Sequence, residues 1–184
     1  IAHPQQTLKF AVNSNLGVKT SLVDRWIEKS QKLVDAVDEL TLYTSIDCLG
    51  KPAEYIRYGL DANLFFQHVE KCLSDTPKSM KLSYMITVNA LSVTGLKDLL
   101  AVILSQRQSY PDRFIGFDTP YLRRPAFMSI QVLPESFQIY LQDALNFVRE
   151  WHQKDNSFRA HEVVKLERML AWHREAQAHK GFQN

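Results

Sequence analysis

Few features of the chain declare a function, and several absences bound the answer. Its two cysteines, Cys48 and Cys72, cannot make a disulfide framework, so a reducing compartment, the cytoplasm, is expected. Six glycines and seven prolines are too few for a collagen-like or low-complexity chain. Basic and acidic residues number 22 and 20, a net charge of +2 that gives no electrostatic case for nucleic acid or an anionic membrane. No apolar run nears the roughly 20 residues of a membrane span, and no signal peptide is visible. Phosphate-binding glycine loops are missing, because Asn15-Leu16-Gly17 and Gly50-Lys51-Pro52 match neither G-x-x-x-x-G-K-S/T nor G-x-G-x-x-G. A nucleophile elbow is missing too.

What remains is ordinary globular material: 184 residues, 45% hydrophobic and 23% charged, enough for one domain with a real core. The chain opens Ile1-Ala2-His3-Pro4, without an initiator Met, and soon enters a strand-like run. A processed protein or a piece of a longer one is the expectation.

Periodicity predicts strands at Leu8–Val12, Leu40–Ile46, Lys81–Val88 and Phe114–Phe117. Helical patterns run between them. The first carries Leu22, Trp26, Ile27, Leu33 and Val34, with Thr20 or Ser21 as cap. The second carries Leu64, Phe65, His68, Val69 and Cys72, with Asp61 or Asn63 as cap. The third carries Leu96, Leu99, Leu100, Ile103 and Leu104. Residues 121–133 read as irregular or partly extended. Two helices follow, from Glu135 to Trp151 and from about Ala160 to Ala178. The order β-α-β-α-β-α-β-loop-α-α predicts an α/β fold with parallel strands. A small doubly wound sheet and part of a (β/α) barrel both fit; a complete barrel needs roughly 250 residues.

Polar residues gather where such strands end: Asn13, Ser14 and Asn15, then Ser45 and Asp47, then Asn89, then Asp118. Parallel α/β folds bind ligands at these ends, although Asn, Asp and Ser are also ordinary turn formers. Arg57 lies ten residues past Asp47 and can return to pair with a carboxylate, but a lone arginine is more often a surface ion pair. His68 and Cys72 share a helix face, and two ligands do not make a zinc site. Cys48 has no local histidine partner, so an inert loop thiol is favoured. His152, His161, His173 and His179 are expected in solvated positions. Arg123 and Arg124 fit an anionic substrate or plain surface equally well.

The stretch T-S-I-D-C-L-G-K-P-A-E-Y-I-R-Y-G, from Thr44 to Gly59, resembles the fourth-strand region of radical S-adenosylmethionine enzymes. It is similar to the S-I/L-D-G…R-G pattern of the branch with SPASM or twitch-type cluster domains. Ser45, Asp47 and Arg57 fall on the pattern's serine, aspartate and arginine. The run Val12 to Gly17 resembles the T-N-G tip of the preceding strand, with Ser14-Asn15 at the T-N positions and Leu16 inserted. Thr87-Val88-Asn89 resembles the next strand end, and Pro120 to Pro125 and Ile130 to Pro134 resemble a following segment of uncharacterised members.

The resemblance covers roughly residues 8–135. It implies that residues 1–134 are the later portion of a partial barrel, with C-terminal helices over 135–184 packed on the same domain. It also implies S-adenosylmethionine as cofactor, seated by Ser45, Asp47, Arg57, Asn13, Asn15 and Asn89, with no catalytic residue assigned. The parent would hold a 4Fe–4S cluster, take electrons from a donor, and act on a small-molecule or peptide substrate. The C-x-x-x-C-x-x-C cluster triad is absent here, and Cys48 and Cys72 cannot replace it. This chain alone is therefore expected to hold no metal, to be inactive and to associate through an exposed edge. A cluster-free α/β ligand-binding or scaffold protein is the alternative, and an aldolase- or isomerase-like enzyme ranks last for want of a lysine or paired carboxylates at the tips.

Overall fold

A computed structural model describes the backbone of residues 5–181 and the side chains of 8–178. Ile1–Pro4, the opening read above, and the side chain of His179 lie outside the described residues. Four strands, β1 (Gln5–Ser14), β2 (Val37–Ser45), β3 (Lys81–Met85) and β4 (Ile115–Asp118), form one parallel sheet in the order β1-β2-β3-β4. The fold is α/β, as the alternation implies. The order never reverses, so the sheet lacks the switch point of a doubly wound fold.

Helix α1 (Thr20–Leu33) joins β1 to β2, and α4 (Leu96–Ser109) joins β3 to β4. Between β2 and β3 come α2 (Gly50–Ile56) and α3 (Ala62–Asp75). Asp61 caps α3 by accepting from the Leu64 amide, and the chain leaves the helix at Thr76-Pro77. At α1 the expected cap fails: Lys19 occupies the N-cap without a side-chain bond, and Thr20 is drawn to His68 instead. Helix α2 opens on Gly50-Lys51-Pro52, whose glycine and proline are turn formers by propensity. Its Pro52 is tolerated because a first-turn amide needs no helical partner.

Strand alternation sorts the two faces of the sheet. Leu40, Leu42, Leu82, Tyr84, Ile115 and Phe117 are buried and meet the helices. The Tyr84 hydroxyl donates to Gln106 on α4 at 2.6 Å, and Gln106 donates to Glu70 on α3 at 2.9 Å. The other face carries Glu39, Tyr43, Ser45, Lys81, Ser83 and Met85, all only half-buried. Among the described residues this face is only partly covered, in keeping with its polarity.

After β4, residues 126–137 make three short 3-10 turns, followed by α5 (Gln138–Asp155) and α6 (Ala160–Gly181). Asn156 adopts φ 57°, the left-handed conformation asparagine tolerates, and ends α5. Helix α5 packs on α4 and α6, and α6 packs on β4. Glu162, fully buried at the start of α6, accepts from Arg107 at 2.6 and 3.1 Å and from Arg159 at 3.2 Å. Both arginines also donate to the outward carbonyl of Ile115, at 2.8 and 3.2 Å. One outward carbonyl of the β4 edge is thereby occupied. His173 is fully buried rather than solvated, because α6 turns that side into the core.

The edge of β1 differs. Among the described residues no strand lies beyond it, and Leu8 and Phe10 are 45% and 39% exposed.

Candidate functional site

The carboxyl ends of the strands are built from short polar turns. After β1, Ser14 Oγ accepts from the Leu16 amide and Asn15 Oδ1 from the Gly17 amide, both at 3.1 Å. Leu16 is held at φ 48° with its side chain buried. Its carbonyl accepts from His68 Nδ1–H at 2.8 Å, and His68 Nε2 shares a hydrogen bond with the Thr20 hydroxyl at 3.0 Å. His68 thus clamps α3 to the first strand tip.

After β2, buried Asp47 accepts from Arg57 Nε and Nη2 at 2.8 and 2.9 Å. It also accepts from the Thr87 amide at 2.9 Å. Helix α2 is what returns Arg57 to this carboxylate. After β3, Asn89 donates to the Thr87 carbonyl and accepts from the Leu91 amide, both at 3.0 Å, while its own amide donates to Ser92 Oγ at 2.9 Å. Asp47, Arg57, Asn15 and Asn89 are therefore brought to one end of the sheet, where each is engaged by the protein itself.

Asn13 and Ser45 lie at the same strand ends, and among the described residues no side-chain hydrogen bond engages either. Register places Asn13 beside Tyr43, Tyr43 beside Ser83 and Ser83 beside Gly116. One row higher come Ser45, Met85 and Asp118. These rows lie on the half-open face. Asp118 accepts from Lys165 of α6 at 2.7 Å. Below them a hollow of about 230 Å³ is lined by Thr41, Tyr43, Ser83, Gly116, His161 and Lys165, among others. Lys81 and Glu39 pair at 2.5 Å on its wall, and the Lys81 hydrogen bond holds the Glu39 carboxyl below its usual range.

Sequence reading missed Tyr43, Ser83, Met85 and Lys165. The first three follow from strand alternation once β2 and β3 are in register; Lys165 lies 47 residues beyond Asp118 and has no local signal. Arg123 and Arg124 are exposed.

Neither cysteine is chemically available. Burial, reinforced by Asp47, pushes the Cys48 thiol up to about 11, and burial pushes Cys72 up to about 12. A 4Fe–4S cluster needs thiolates, so these residues do not fit one. Among the described residues no three His, Cys, Asp or Glu side chains are grouped to hold a metal, and no helix is long and apolar enough to cross a membrane. Arranged as they are, the tips can orient a polar small molecule by hydroxyl, amide and carboxylate. No protein-family model, curated protein or solved structure matches the chain.

Proposed function

We propose that this chain is the later part of a partial (β/α) barrel from a cytoplasmic radical S-adenosylmethionine enzyme of the SPASM or twitch-type branch. The observation that carries the reading is the sequential parallel order with Asn13 and Ser45 at the strand ends on the half-open face. A barrel winds its strands in that order and presents ligands at that end.

Ser45 and Asn13 orient the amino-acid or nucleoside part of S-adenosylmethionine by hydrogen bonds. Asp47, Arg57 and Asn89 position those tips through the bonds described above and touch no ligand directly. When bound, S-adenosylmethionine supplies a carbon–sulfur bond that can be cleaved reductively. Cluster, electron donor and substrate contacts belong to the parent protein, because the thiols here do not fit a cluster.

Calorimetric titration of the chain with S-adenosylmethionine tests the seat. Ser45→Ala and Asn13→Ala are each expected to weaken binding about fivefold, the value of one net hydrogen bond. The parent, reconstituted anaerobically with a reductant, should release 5′-deoxyadenosine. No heat of binding together with no release overturns the reading.

A second reading, a cluster-free α/β ligand-binding or scaffold protein, is favoured by the internal engagement of Asp47, Arg57, Asn15 and Asn89. It predicts a melting temperature indifferent to S-adenosylmethionine.

A further inference from the structure

We propose that the hollow on the half-open face of the sheet binds an elongated dianion with a carboxylate at each end, held between Lys81 and Lys165. The inference rests on neither reading above. The lining comes from β2, β3, β4, α6 and Phe114, and includes neither Ser45 nor any residue of β1. What lies beside β1 therefore leaves this wall as it is.

Register lays the groups out along the strands. Thr41 stands beside Lys81, Tyr43 beside Ser83, and Met85 beside Asp118. The Lys81 and Asp118 rows are thus four residues apart along β3, about 13 Å. Lys81 pairs with Glu39 at one end, and Lys165 with Asp118 at the other, at 2.5 and 2.7 Å. An ammonium carries three N–H donors, and one carboxylate does not use them all. Both lysines keep donors for a guest, and their side chains are 37% and 34% exposed. Between the two ends, the Tyr43 and Ser83 hydroxyls have no hydrogen-bond partner among the described residues. Phe114 supplies apolar contact for a carbon chain. Its ring folds over Gly116, where a Cβ would come within 2.8 Å of it.

Charge selects the sign of the guest. The two ion pairs cancel. Arg159, 4.1 Å from the Phe114 ring centroid, shares Glu162 with Arg107, so that trio leaves one positive charge behind the ring. Lys9, whose charge acts on the Glu39 carboxyl, adds a second. A chain of net charge +2 thus gathers an excess of that size beside one hollow, and its complement is a dianion. The donors are spread along the hollow with one ammonium to each end, whereas phosphate asks for several converging on a single group. The hollow, about 230 Å³, is smaller than the roughly 300 Å³ at which pockets for drug-sized ligands begin, so the guest is small.

Calorimetric titration of the chain with adipate, hexanoate, inorganic phosphate and hexamethylenediamine tests the site. Adipate should bind about tenfold more tightly than hexanoate, the value of one charge-assisted contact. Lys81→Met and Lys165→Met should each erase that advantage. Tyr43→Phe removes one oxygen and no charge, and should weaken adipate about fivefold. Lys97→Met, at an exposed site on α4, should change nothing. Circular dichroism checks each fold, and Tyr43→Phe keeps the test decisive if a lysine variant unfolds. Amide shifts in NMR on adding adipate should centre on Tyr43, Ser83, Gly116 and Lys165. Three results overturn the proposal: no adipate binding, an equal affinity for hexanoate, phosphate or the diamine, or hollow variants that behave like Lys97→Met. These titrations contain no S-adenosylmethionine, so their failure is separate from any failure at the strand tips.

Discussion

Burial decides the chemistry of single side chains in this protein. Cys48 and Cys72, with thiols raised to about 11 and about 12, carry almost no thiolate at neutral pH. An aromatic disulfide reagent should modify neither in the native chain and both after denaturation; fast native labelling of Cys48 would mean its loop opens. Asp47 is 4% exposed at its side chain and accepts three hydrogen bonds. Asp47→Ala strands Arg57 and the Thr87 amide and should cost about 2–3 kcal/mol in urea denaturation, because Arg57 still reaches some water. Glu39 shows the opposite sensitivity, to pH. Its folded pKa lies below the unfolded value, so its contribution is present above the ordinary carboxylate range and disappears as pH falls through the lowered value. Melting temperature should therefore drop on acidification, and Glu39→Gln should remove part of that slope.

Among the elements, α6 depends most on one buried charge. Glu162 holds Arg107 and Arg159 together with the β4 edge, so Glu162→Ala leaves two guanidinium groups without their anion. We expect a loss of about 3–5 kcal/mol, measured by chemical denaturation, with Arg107→Ala no milder. None of this was legible beforehand, since Arg107 and Glu162 stand 55 residues apart and each alone reads as a surface charge. The long amphipathic helices and the four strands were legible, because their apolar periods of 3.6 and 2 report burial on one face. Helix α2 was not. Gly50 and Pro52 are turn formers by propensity, and only tertiary contact, Arg57 returning to Asp47, gives the segment a reason to coil. At the candidate site, sequence located the strand ends yet could not say which polar groups the turns consume. Ser45 and Asn13 differ from Asn15 and Asn89 only in which backbone amides come within reach. His173 was misread for a similar reason, as α6 is embedded further along its length than its mixed composition suggests.

At the scale of the molecule, alternation of strands and helices left two sheet orders open, and only pairing selects between them. The observed order makes α6 the guard of one side. A chain ending at Asn156 should lose that guard, expose β4 and associate more strongly than the intact chain, as static light scattering on both will check. The bracing of the strand ends has a different consequence. Asp47 ties the second tip to the Thr87 amide of the third, so a guest arriving at Ser45 meets a frame already set. Little ordering remains to be done on arrival, and association there should show a small entropic penalty and a rate insensitive to viscosity-damped loop motion.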